Sequence, residues 1–239
     1  MNSNTQSILQ ICDIDLKRWL TRFRVYWSST HTSVPTGFNT FMTASYFGLK
    51  VVVKQLFKDN CFDLNLRDNT YQRSALSWAA GNGSGAVIKL LVNGTRIDQK
   101  SFGLPYRKGA EIDSVNKYGR TPLSHAVWSR NTAVVKLLIN AGARVDSKDI
   151  IGGTPLSYAP CSGRQEVLKL LLKKDTQVGS VGEITKELLF AATEKGDEVI
   201  DEPLLETGKA NVNARDDIGR TPLSWAAMGG HVIVAELLL

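Results

Sequence analysis

The stretch from Asn116 to Asn140, N-K-Y-G-R-T-P-L-S-H-A-V-W-S-R-N-T-A-V-V-K-L-L-I-N, decides the fold because it returns along the chain. Gly152-Gly153-Thr154-Pro155-Leu156-Ser157 lies 33 residues after Gly119-Arg120-Thr121-Pro122-Leu123-Ser124. Gly219-Arg220-Thr221-Pro222-Leu223-Ser224 follows after two further periods plus one residue. A chain that repeats near 33 residues is a stack of like units, each burying its apolar face against the next.

The parts of one unit follow from the residues. Thr121-Pro122 and Thr154-Pro155 each start a helix, because proline lacks only the N–H that the first turn leaves unpaired. Ala126 and Ala159 are small enough for two helices to approach closely. Gly163 is expected to end its helix in a left-handed turn, with Asn131 in the corresponding place of the unit before. Val134-Val135-Lys136-Leu137-Leu138 and Val167-Leu168-Lys169-Leu170-Leu171 then form second helices with an apolar stripe. Ala141-Gly142-Ala143-Arg144-Val145-Asp146 turns into the next hairpin.

Outward from these units the pattern decays. Phe41, Ala44 and Gly48 precede Leu76, Ala79 and Gly83 by 35 residues, which marks an atypical first unit from about Gly37. Leu76 to Leu123 spans 47 residues, so 14 extra residues fall in a loop insertion at 93–108. Pro105 and the glycines place that insertion on the finger side, where a recognition role and mere tolerance of length both stay open. A fifth unit keeps Leu189, Ala192 and Gly196 in register, and Pro203 should break its second helix. A sixth unit opens at Gly219 and ends at Leu239 on an apolar run with no polar closing element. That end suggests a fragment, a truncated gene model or a chain that dimerises there. Residues 1–33 lie outside the repeat, and Leu9, Cys12, Leu16, Trp19, Leu20, Phe23 and Trp27 recur at helical spacing. They read as a capping helix over the end of the stack or as a linker from an upstream domain. The repeat domain then covers residues 34–239 in about six units.

Composition narrows the function. With 43% apolar residues the chain can bury a core. A net charge of +6 reads as scattered Lys and Arg on solvated faces, and without a clustered patch nucleic-acid binding is not expected. Cys12, Cys61 and Cys161 stand far apart, which argues against a disulfide framework and for a reducing compartment. No Cys-x-x-Cys or His-x-x-x-His spacing suggests zinc. No secretory signal and no apolar run near the ~20 residues of a membrane span are evident. A cytoplasmic or nuclear protein is expected. Gly208-Lys209-Ala210 lacks the hydroxyl and upstream glycine of a phosphate-binding loop. A Ser224, His231, Asp217 triad can be drawn on paper, but no nucleophile elbow or oxyanion donors accompany it. The chain therefore reads as a non-enzyme with no cofactor, no metal and no small-molecule substrate.

The units resemble ankyrin repeats. The residues that carry the resemblance are G-R-T-P-L-S-H-A at Gly119 to Ala126, A-G-A-R-V-D at Ala141 to Asp146, and G-R-T-P-L-S-W-A-A with Gly230-His231 in the last unit. The resemblance implies an all-α solenoid of helix-turn-helix units with short β-hairpin fingers and a concave face. The T-P-L-S variant is similar to fungal ankyrin arrays, which often form the C-terminal sensor portions of NACHT-type NTPases. One departure matters. Ankyrin repeats usually carry His after Thr-Pro-Leu, where it ties neighbouring repeats together. Ser77, Ser124, Ser157 and Ser224 stand there instead, so a weaker or water-bridged tie is expected.

The resemblance implies partner binding through finger tips and exposed first-helix positions. Those are Tyr71, Arg73, Lys117, Tyr118, Arg120, Trp128, Ile151, Ile218 and Arg220, with Tyr46, Phe47, Asn82, Ile150, Glu194, Lys195, Asp217 and Met228 around them. Tyr71, Tyr118, Ile151 and Ile218 make successive finger tips apolar, which a purely solvated surface does not require. Arg73, Arg120 and Arg220 recur at one place, either for binding or because repeats share ancestry by duplication. Aromatic and Arg side chains typically dominate interface energies. The expected function is a protein–protein interaction scaffold whose partner presents an acidic, partly apolar surface. The alternatives are the ligand-sensing tail of a larger NTPase and, third, a nucleic-acid binder.

Overall fold

A computed structural model describes residues 36–58, 63–93, 109–159, 165–174, 181–197, 204–206, 208 and 210–239. The expected N-terminal helix, nearly all of the 93–108 insertion, Gly163 and Pro203 lie outside them. The chain divides into two compact units, residues 1–118 and 119–239.

In the first unit, α1 (Thr40–Tyr46) pairs with α2 (Lys50–Lys58), and α3 (Ala75–Gly81) with α4 (Gly85–Asn93). α1 packs on α3 and α2 on α4, so like helices stack on like. In the second unit the pairs are α5 (Pro122–Trp128) with α6 (Thr132–Asn140) and α7 (Pro155–Tyr158) with α8 (Gln165–Lys174). α9 (Val181–Lys195) follows, and α10 (Pro222–Gly229) pairs with α11 (Val232–Leu238). Here α7 packs against both α5 and α9, and α9 against α10. This stacking within each unit is what the 33-residue period predicts.

Helices of seven residues are too short to hold alone in water. Two local features compensate. Asn39, Ser74, Thr121, Thr154 and Thr221 are the N-caps, and each side chain accepts the backbone N–H three residues on. Pro122, Pro155 and Pro222 begin their helices as expected. Packing adds the larger share. Leu76, Leu123, Leu156 and Leu189 are buried at one equivalent place, and Val87, Val134, Val167 and Val234 at another. Each such side chain contributes about 1.5–3 kcal/mol by leaving water.

The fingers are short: among the described residues their β-pairing is one isolated antiparallel bridge, Arg67 with Ser74. The structure alters two sequence expectations. The left-handed residue of the third repeat is Arg130, at φ 59°, not Asn131. Arg130 lies 33 residues before Gly163, so the repeat spacing itself makes it the equivalent position. Asn131 instead caps α6, its side chain accepting from Val134 N. Finally, the serines after Thr-Pro-Leu bond within their own repeat. Ser124 pairs with Thr121 (3.2 Å), Ser224 with Thr221 (3.0 Å), and Ser157 closes a capping box with Thr154. The start of the second helix supplies a tie between repeats instead. Ser84 Oγ donates to the Tyr46 carbonyl (3.1 Å), and His231 Nε2 pairs with the Glu194 carbonyl (3.1 Å).

Candidate binding surface

Four fingers among the described residues are each built around one carboxylate or amide that sequence inspection passed over. Asp68, 0% exposed, accepts the N–H groups of Thr70, Tyr71 and Arg73 and the indole N–H of Trp78. Asp216 does the same for Ile218 N, Arg220 N and the Trp225 indole at 2.9 Å. Asp149 accepts from Ile151 N, Gly153 N and the Tyr158 hydroxyl, and Asn116 from Tyr118 N. The signal was present: an Asp or Asn stands nine or ten residues before each of Trp78, His125, Tyr158 and Trp225. Turn-forming Asx residues are so common in hairpins that the pattern does not draw the eye.

Three aromatic side chains of the first helices thus have a structural task. Trp78 is buried, Tyr158 and Trp225 are half-buried, and their polar atoms hold the finger carboxylate. The recurring arginines lie over the same rings. The Arg73 guanidinium sits 3.9 Å from the Trp78 centroid, and that of Arg220 3.8 Å from Trp225. Such stacking contributes roughly 0.5–2 kcal/mol each. Burial pushes Arg73 down to about 10, so it remains a cation at neutral pH. The three arginines are half-buried, and these contacts give their recurrence an intramolecular use.

The second unit holds the densest cluster. Arg120 Nε donates to Asp149 Oδ2 at 3.3 Å, and its guanidinium lies 5.2 Å from the Tyr158 ring and 5.8 Å from Trp128. Burial works to raise the Asp149 pKa, but the donors from Tyr158, Gly153, Ile151 and Arg120 outweigh it and hold the carboxyl below its usual range. Tyr158 is raised by burial and by donating to Asp149. Trp128 stands edge-on to Tyr158 and stays 61% exposed. Ile151 and Ile218, at two finger tips of this unit, are 77% and 69% exposed, with Ile150 and Met228 also open to solvent.

In the first unit Tyr71 is half-buried against Trp78, and Tyr118 and Lys117 are exposed at the next finger tip. Lys117 Nζ lies 4.9 Å from the Tyr71 ring and 5.1 Å from that of Tyr118. Nine residues selected from the sequence therefore divide by environment. Arg73, Arg120 and Arg220 work within the fold, while Lys117, Tyr118, Trp128, Ile151 and Ile218 face solvent and Tyr71 lies between the two groups.

Two residues of the triad drawn on paper bond to other groups. Ser224 Oγ pairs with Thr221 and His231 with the Glu194 carbonyl. Among the described residues no group of three His, Cys, Asp or Glu side chains could hold a metal ion. No helix among them is long and apolar enough to cross a membrane.

Stacked helical hairpins with capped Thr-Pro-Leu turns define a helical repeat protein. Two family models described as ankyrin repeats match residues 100–181 and 188–239, more than half of the chain between them. The chain belongs to the ankyrin-repeat family. Ankyrin repeats are generally protein–protein interaction modules and are typically non-catalytic. A comparison with curated proteins finds no match.

Proposed function

We propose that this chain is a non-catalytic scaffold that captures a protein partner on its finger tips and exposed first-helix positions. The observation that carries the reading is the exposure of Trp128, Ile151 and Ile218 in the second unit. The finger carboxylates, caps and buried leucines form the fold without them. Large apolar side chains held rigidly at the surface are the residues that supply most of the energy when an interface closes. A sensor tail on a larger NTPase would use the same residues, and an ATPase assay on the full-length parent with and without captured ligand distinguishes it.

The test is a pull-down from cell extract comparing wild type with Trp128→Ala and Ile218→Asp, each checked by circular dichroism. Arg120→Glu is the wrong probe, because it would set a second carboxylate against Asp149. A partner held by the wild type should bind each variant at least about 30-fold more weakly, the equivalent of ~2 kcal/mol. Equal capture by all three proteins would overturn the assignment.

A further inference from the structure

Among the described residues of the first unit, the finger cations Arg73 and Lys117 make no ion pair. Asp68 is buried and its carboxylate already receives four N–H groups. Arg73 follows on the same finger, and Lys117 stands at the next one. Arg73 donates Nη2 to the Ser77 carbonyl (2.9 Å), while its buried Nε has no hydrogen-bond partner. In the second unit the equivalent Nε atoms of Arg120 and Arg220 each reach a carboxylate at 3.3 Å. Lys117 is exposed and, among the described residues, has no carboxylate partner. Arg67, the next cation along, lies 3.8 Å from Glu111 and is answered.

We infer that the Tyr71–Lys117–Tyr118 finger site recognises an aspartate or glutamate side chain of the protein partner. This rests on the scaffold reading above and names the chemistry of the partner at that site. An incoming carboxylate would meet the Lys117 ammonium beside two aromatic rings, 4.9 and 5.1 Å from it. A charge pair at that place discriminates against neutral and basic partners. Trp78, which carries the Arg73 guanidinium on its ring, packs on Tyr71 at 6.1 Å and holds that ring in place. The rings supply apolar flanks, so the preferred segment places an apolar residue beside the acid.

A random peptide-display selection on the immobilised full chain tests this, followed by anisotropy titration of the enriched peptides. The expected result is enrichment of Asp or Glu next to an apolar residue. Lys117→Met should weaken those peptides about tenfold or more, Lys117→Arg should restore most of the affinity, and added salt should weaken the wild type more than Lys117→Met. Lys117 is exposed, so these variants leave the fold intact by circular dichroism. Peptides without acidic enrichment, or an unchanged affinity in Lys117→Met, overturn the inference. Peptides lost on Trp128→Ala or Ile218→Asp but indifferent to Lys117 overturn it while keeping the scaffold reading. A selection that enriches nothing overturns both.

Discussion

Removing the Asp149 carboxylate is the sharpest test of how the fingers are built. Asp149 is buried and receives Gly153 N at 2.8 Å, Ile151 N at 3.0 Å, the Tyr158 hydroxyl and Arg120 Nε at 3.3 Å. A hydrogen bond to a charged group contributes about 1.5–3 kcal/mol, and a neutral one about 0.5–1.5 kcal/mol. The Arg120 pair is partly solvated and is worth under ~1 kcal/mol. Water can reach the exposed Ile151 side of the turn, which reduces the loss there. Asp149→Ala should therefore cost about 3–4 kcal/mol. Asp149→Asn keeps an oxygen for the two backbone donors, as Asn116 does for Tyr118, and should cost about 1–2 kcal/mol. Urea unfolding followed by circular dichroism measures both. In a double-mutant cycle with Tyr158→Phe, Asp149→Ala should show coupling above ~1 kcal/mol. The pH dependence has a definite sign. The folded pKa is depressed, so the stabilisation is complete above the usual Asp value of about 3.9 and is lost as pH falls through the lower folded value. The wild type should weaken below about pH 4 more steeply than Asp149→Asn. A cost below ~1 kcal/mol for Asp149→Ala, or strict additivity with Tyr158→Phe, would refute the account.

Further outcomes follow from the backbone and the caps. Gln72 (φ 56°) and Arg130 (φ 59°) take left-handed turns where Gly119 and Gly83 stand in equivalent places. A non-glycine residue there costs about 1–2 kcal/mol, against the ~0.5–1 kcal/mol of extra unfolded-state entropy that glycine brings. Gln72→Gly and Arg130→Gly should each stabilise by about 0.5–1 kcal/mol, and a lowered melting temperature in both would contradict this. Thr121 is buried and caps α5 through Ser124 N at 3.2 Å. Thr121→Ala should cost about 1–2 kcal/mol and Thr121→Ser much less; equal losses would show that the methyl group, not the cap, matters.

The sequence by itself determined the repeat period, the helix starts at Thr-Pro, the buried leucine and valine positions and the apolar finger tips. These are legible because each depends on local chemistry or on an interval that duplication copies from unit to unit. Only the tertiary structure decided what the polar side chains do. The recurrence of Arg73, Arg120 and Arg220 is visible in the sequence, yet Arg73 and Arg220 fold back onto Trp78 and Trp225 of their own repeats while Arg120 reaches Tyr158 of the next. The same holds for Ser84 and His231, whose bonds cross to a carbonyl of the preceding repeat. Hydrogen bonds are short-ranged and directional, so which donor meets which acceptor depends on ångström-scale placement. A repeat interval fixes which residues are equivalent. It leaves open where each side chain ends, and that is what separates a residue used within the fold from one left for a partner.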